Sequence, residues 1–290
     1  MMPSRPALIA AFAAVYVFWG ATFLAIRYAV VDIPPLLVIA ARCLFGGAIL
    51  FAWILWKRDF TRPTFAQIKT AAIAGTCLFL GCHAVLAYAE QRVTSGQAAL
   101  YMTGIPLWLV ALDAIRARRT PPARVIAGML LGCAGVALLA DLSNALSGTL
   151  FDRIALIAST FFWAAGSIYA RDGARPPSSA QSAAMQLVLG GIVVFIVSIA
   201  LGESPSPISV RAGVSLAFLI VCGTVFAFAA FTWLLRVTTP AAVGSYAFVN
   251  PIIALALAWS AGDEPMTWRT LVAGLLVISA IVLTRPRVAR

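Results

Sequence analysis

One pattern is written twice along this chain, and it confines the fold more tightly than any single motif. Trp19, Arg27 and the pair Gly46 and Gly47 return as Trp163, Arg171, Gly190 and Gly191, each about 144 residues later. Arg92, Val93 and Thr94 return as Arg236, Val237 and Thr238 at the same offset, and Tyr101 and Pro106 return as Tyr246 and Pro251. An internal repeat has to be read before any local assignment. The repeated unit is almost wholly apolar. The chain is 62% hydrophobic and 11% charged, with mean hydropathy +0.97, against roughly 45–50% and 25% in a soluble domain. Such a surface cannot be hidden in water, so the solvent is lipid.

Apolar runs place helices at 8–28, 35–56, 67–89, 95–113, 123–141, 151–171, 179–201, 210–235, 240–261 and 267–284. Each is near the roughly 20 residues that cross a bilayer. They are helices because a lipid-facing segment has to satisfy its backbone polar groups internally. Stretches rich in proline or charge separate them, such as Pro34 and Pro35, Lys57 to Pro63, and Arg118 to Pro122. The expected fold class is all-α integral membrane, with ten transmembrane helices as two five-helix repeats, 1–145 and 146–290, in one membrane domain.

Ten spans put both termini on one side, and the charges choose which. With the N-terminus cytoplasmic, Arg5, Lys57, Arg58, Arg62, Lys69, Arg116, Arg118, Arg119, Arg124, Arg171, Arg175, Arg236 and the C-terminal arginines lie inside. Only Arg27, Arg92, Arg153, Arg211 and Arg269 lie outside, as the positive-inside rule requires. The same rule accounts for the net charge of +11 without nucleic acid, because the basic residues sit at segment ends and form no basic surface. An odd number of spans per repeat makes the second half enter from the opposite face. The halves are then inverted copies, and an inverted pair can open to either side.

The N-terminal run carries bulky Trp19 and Phe23 and no small-residue cleavage site, so it reads as a first span rather than a signal peptide. Cys43, Cys77, Cys82, Cys133 and Cys222 all fall in apolar segments and form no disulfide framework or metal pattern. No metal site and no cofactor motif is expected.

Symmetry-related aromatics are the best candidates for a substrate site: Trp19 and Trp163 near the middle of the first and sixth spans, Tyr101 and Tyr246 in the fourth and ninth. Each tyrosine precedes a proline, Pro106 or Pro251. A proline inside a helix removes a backbone bond and kinks it, so these two are candidate hinges. Trp108, seven residues after Tyr101, is expected to share its helix face. Asn250 is a polar side chain at depth, suited to substrate contact or to bridging helices. His83, the only histidine, is an ionisable group inside a span and hence a functional candidate, with a neutral interhelical role as the alternative. For each single aromatic the alternative is helix packing or an interfacial belt, as expected of Trp53, Trp56, Trp233 and Trp268. Arg42 is expected to reach the surface or pair with a loop carboxylate, with contact to a substrate carboxylate as the second reading. Glu90 and Asp113 are expected to be solvated helix-end residues, leaving no carboxylate buried at mid-membrane. The spacing Gly128 to Gly132 permits close helix approach.

These motifs resemble the EamA-type ten-helix permeases of the drug/metabolite transporter superfamily. The resemblance rests on Phe18 to Phe23, Pro34 to Arg42, Ser95 to Leu100 with Pro106, Gly128 to Gly135, Tyr246 to Pro251, and Gly262 to Pro265. The chain departs from the family pattern in lacking an acidic residue near Arg119 and in carrying Ala164 after Trp163. The resemblance implies a secondary transporter of small metabolites in a bacterial inner membrane, and the aromatic content is similar to exporters of amino acids, aromatic ones included. Alternatives are export of cationic drugs or of other metabolites such as nucleotide sugars, and a non-transporting sensor or scaffold. No Walker loop, GxSxG or HExxH motif supports an enzyme. The expected partners are a small-molecule substrate and the bilayer, with oligomeric state left open.

Overall fold

The structure, a computed structural model, describes residues 4–93, 98, 101–139, 148–204, 207–260 and 268–284. Among them every regular element is helical: α1 (Arg5–Ala29), α2 (Pro35–Trp56), α3 (Phe65–Ala89), α4 (Gly104–Ala117), α5 (Ala123–Leu139), α6 (Leu150–Asp172), α7 (Ser179–Ala200), α8 (Val210–Val237), α9 (Pro240–Gly244), α10 (Tyr246–Ser260) and α11 (Trp268–Thr284). Six of these, α1, α2, α3, α6, α7 and α8, run for 22 to 28 residues and are apolar enough to cross a bilayer. The others are shorter. The motif residues 95–97, 99, 100 and 262–265 lie outside the described residues.

Local chemistry sets the ends. Thr64 with Gln67, and Thr149 with Asp152, form capping boxes that satisfy first-turn N–H groups of α3 and α6. Ser4, Ser178 and Ser209 accept from the first turns of α1, α7 and α8. The expected ninth span is divided at Ser245. There the serine hydroxyl turns back to donate to the Ala242 carbonyl at 2.6 Å and also meets the Tyr16 hydroxyl at 2.7 Å. Pro106 stands in the first turn of α4, just past a turn at Thr103, where a missing N–H costs no helical bond. Pro251 lies inside α10.

Large apolar side chains face outward, including Phe45, Phe65, Phe151, Ile196 and Leu275, as expected where the surroundings are lipid. Trp53 and Trp56 are exposed, and Lys57 lies over both rings at 5.0 and 4.9 Å, an interfacial arrangement. Small residues then let the helices close up on one another. α2 packs on α7, α5 on α11, α1 on α8 and α10, and α6 on α3 and α4. A Cβ added to Gly190 would stand 2.6 Å from the Gly75 carbonyl oxygen, so α7 and α3 touch backbone to backbone. A Cβ on Gly47 would meet Leu187 and Val188, and one on Gly191 would meet Cys43 and Leu44. Those contacts are reciprocal under the repeat offset, the hallmark of a two-fold relation. The pair Gly128 and Gly132 is spent within the chain, against α11 and beneath the ring of Phe248.

Two π-helical stretches, Thr76–Ala84 in α3 and Leu219–Phe226 in α8, occupy equivalent places in the two halves. The glycine contacts make a stability prediction. Gly190→Leu should lower the thermal midpoint in detergent, since overpacking costs about 1–3 kcal/mol or more. Gly274→Leu, where nothing lies within 4 Å, should change stability by less than about 0.5 kcal/mol. Equal losses in the two variants would contradict this account of the packing.

Candidate functional site

Trp19 and Trp163, equivalent residues of the repeat, meet in the middle of the bundle with ring centroids 5.4 Å apart, edge to face. Tyr246 lies 4.7 Å from Trp19, and Phe231 lies 5.0 Å from Trp19 and 5.4 Å from Trp163. On the other side of Trp163 stands His83 at 4.8 Å, followed by Phe79 at 5.7 Å from the imidazole. Phe228 joins Phe79 and Phe231. Trp19, Trp163 and Tyr246 are 5% exposed or less, so the rings pack directly on each other and the cluster is closed.

Four of the predicted site residues, Trp19, Trp163, Tyr246 and His83, are therefore brought together. Asn250 is buried one helical turn beyond Tyr246 on α10. Tyr101 is half-buried and packs against the same core. Trp108 is not part of the cluster: it is 38% exposed and sits edge-on to Phe161. The turn at Thr103 breaks the helical register on which its shared face with Tyr101 depended. Phe79, Phe228 and Phe231 were not among the predicted site residues. Their spacing, Phe79 with His83 at four and Phe228 with Phe231 at three, is the signal that could have found them.

The polar atoms of the cluster are unequally served. Trp19 donates its indole N–H to the Gly223 carbonyl at 2.9 Å, inside the π-helical stretch of α8. Its repeat counterpart Trp163 turns its Nε1 towards the Tyr246 hydroxyl, and neither of these atoms, nor His83 Nδ1 nor Asn250 Oδ1, has a partner at good hydrogen-bond geometry. Orphaned polar atoms in a dry core each cost free energy comparable to a lost hydrogen bond. Four lie in and beside one cluster, and each calls for an explanation.

Three charged residues, Arg42, Glu90 and Asp113, depart from expectation. Arg42 neither reaches the surface nor pairs with a carboxylate among the described residues. It is 2% exposed, donating from Nε to Thr224 Oγ1 at 3.0 Å and from Nη2 to the Gly223 carbonyl at 3.4 Å. Glu90, expected to be solvated, is 5% exposed at the end of α3, and both carboxylate oxygens lack partners. Burial lifts its carboxyl well above the usual range, opposed by Arg27 of α1. Neither environment can be read locally, because each depends on helices distant in sequence.

Ion pairs tie the helix ends. Arg92 grips Asp152 at 3.0 and 2.5 Å where α3 ends and α6 begins. At the opposite end of α6, Arg171 and Arg119 both donate to Asp113, and Arg116 pairs with Asp172. Asp113 is thus paired, not merely solvated. A cavity of about 290 Å³ opens beside it, lined by Arg119, Arg124, Thr239, Pro240 and Thr284 among others.

A model of the EamA-like transporter family matches the sequence twice, over residues 6–140 and 152–285. The chain belongs to this family, within the drug/metabolite transporter superfamily. It is 30% identical over 284 residues to the uncharacterized inner membrane transporter YedA of Escherichia coli strain K12, spanning 96% of this chain and 90% of that one. An uncharacterized transporter of Archaeoglobus fulgidus is 22% identical over 275 residues, 92% and 93% of the two chains. A solved structure titled "Crystal structure of protein" superposes with a TM-score of 0.80 at 19% identity, over 97% of this chain and 96% of that one. This EamA-family protein is a membrane transporter, with a small-molecule substrate and a lipid surround.

Two variants probe the closed cluster. Tyr246→Phe removes an orphaned hydroxyl at nearly constant volume, so thermal stability should hold or rise while solute flux falls. A loss of stability would mean the hydroxyl is already satisfied. For Glu90, the raised carboxyl pKa means the fold favours the protonated form. Stability is fully present at and below the ordinary carboxylate range and is lost as pH rises towards the raised value. Glu90→Gln should flatten that fall in melting temperature with rising pH, and an unchanged pH profile would contradict the assigned environment.

Proposed function

We propose that this chain is a secondary exporter of small metabolites, amino acids including aromatic ones, working by alternating access between two inverted five-helix halves, 1–145 and 146–290. The observation that carries the reading is the meeting of Trp19 and Trp163. Equivalent residues of a repeat touch each other only near the axis that relates them, so the ring cluster sits where both halves contribute equally. Four orphaned polar atoms in or beside that cluster give it something to recognise. The reciprocal glycine contacts between α2 and α7, the paired π-helical stretches and the double family match support the two-fold arrangement.

The mechanism follows from the packing. Ring faces hold the apolar part of a solute, and the freed donors and acceptors hold its polar end. In the closed state the rings fill the space themselves. Rocking of one half against the other, with Thr103 to Pro106 and Ser245 to Pro251 as hinges, would part them towards one face or the other. The ion pairs Arg92 to Asp152 and Arg171 to Asp113 stand at opposite ends of α6, where closure at each face has to be made and broken. A bacterial inner membrane location agrees with YedA being an inner membrane transporter, and cytoplasmic termini agree with the charge distribution.

Purified protein in liposomes should carry labelled phenylalanine or threonine with saturable kinetics. Trp163→Ala should reduce that flux at least about tenfold if the ring supplies more than about 1.4 kcal/mol of solute binding. Flux no greater than empty vesicles for every amino acid tested would remove the amino-acid reading.

A further inference from the structure

Arg42 is a buried charge that meets no compensating charge among the described residues. Its guanidinium cannot be neutralised by losing a proton, and a cation at depth in a membrane bundle is retained only where it meets an anion or a water-filled path. Among the described residues no carboxylate pairs with it, and its hydrogen bonds to Thr224 and Gly223 use two of five N–H donors. The Gly223 carbonyl it touches is the one that receives the Trp19 indole, so the guanidinium stands beside the ring cluster. Beside it the Trp163 N–H meets the Tyr246 hydroxyl without good hydrogen-bond geometry, and both groups are donors.

The repeat supplies an internal control. The residue equivalent to Arg42 is Gln186, also buried at 3% exposure, and it is neutral, bonded at 3.2 Å to Ser182 of its own helix. Packing at this place on α2 or α7 therefore does not demand a guanidinium. A second copy of the same helix manages with an amide. The positive charge is a property of one half alone, as expected of a group that serves a ligand rather than the fold.

We infer that Arg42 binds the carboxylate of the transported solute, with the Trp163 N–H and the Tyr246 hydroxyl as neighbouring donors, so that the substrate class is monoanionic or zwitterionic carboxylates with an apolar body. This rests on the proposal that the ring cluster is the solute site. An arginine and a carboxylate form the strongest of the ordinary charge-assisted hydrogen bonds. On the loaded protein the solute supplies the missing negative charge, and its apolar part lies against the rings. Solutes lacking that charge leave the guanidinium uncompensated and bind less well.

The test uses matched pairs that differ only in the charged group: phenylalanine with phenylalaninamide, and leucine with leucinamide. Flux into proteoliposomes is measured beside the quenching of intrinsic tryptophan fluorescence, since Trp19 and Trp163 report on the cluster directly. Wild type should favour each acid over its amide by about tenfold or more, the size of one charge-assisted bond. Arg42→Gln, which copies Gln186, should keep its elution profile and melting temperature while the preference falls to near one. Arg42→Lys keeps the charge but not the planar fork and should fall between. If Arg42→Gln unfolds, the Arg42→Lys ratio decides: an intermediate preference supports the assignment, and an unaltered one overturns it. Equal flux of acid and amide in wild type, or a preference that survives in Arg42→Gln, overturns it while leaving transport intact. Absence of flux and quenching for every pair removes both this assignment and the site reading beneath it.

Discussion

A backbone that meets no water has to bond to itself, and in this protein that constraint decides where everything else goes. It makes the long apolar segments helical. It also lets them approach only where side chains shrink to glycine, as at Gly75 against Gly190 and at the reciprocal contacts of Gly47 and Gly191. Where a helix relaxes into a π-helical turn, the carbonyl set free needs a donor from elsewhere. At Gly223 it finds two, the indole of Trp19 and the guanidinium of Arg42. The exceptions to regular backbone bonding thus lie against the polar groups of the candidate site.

Symmetry and its breaking together define that site. Trp19 and Trp163 are equivalent in sequence and in contact in space, yet of the two only the Trp19 indole N–H makes a well-formed hydrogen bond. Arg42 and Gln186 are equivalent too, and only one is charged. On the proposed alternating-access reading, a twofold frame would supply two halves able to move against each other, and the unequal details would give the space between them a polarity. On the same reading, a solute that parts the rings would gain hydrogen bonds the closed arrangement leaves poorly made.

Much of this was legible in the sequence. The apolar runs and the repeat pointed to the all-helical membrane architecture, and the matched tryptophans Trp19 and Trp163 meet because equivalent residues on equivalent helices converge near an axis; Tyr246 joins them while its counterpart Tyr101 does not. His83 was legible as an ionisable group inside a span. Trp108 was misplaced because a seven-residue spacing marks one face only of an unbroken helix, and the turn at Thr103 breaks it. The split at Ser245 depends on a serine bond to its own backbone and to Tyr16, contacts that hydropathy does not register. Arg42, Glu90 and Asp113 look like ordinary helix-end charges. Their burial or pairing is decided by segments far away in the chain.

The central claim is that two halves close around one aromatic centre and open alternately. Pairs of spin labels test it directly, one pair at Val31 and Phe151 where α1 ends and α6 begins, the other at Ile115 and Arg175 near the opposite end of α6. Distances measured in lipid with and without a transported amino acid should change in opposite senses, one pair separating as the other draws together. Two pairs that widen together, or neither moving while flux proceeds, would contradict it.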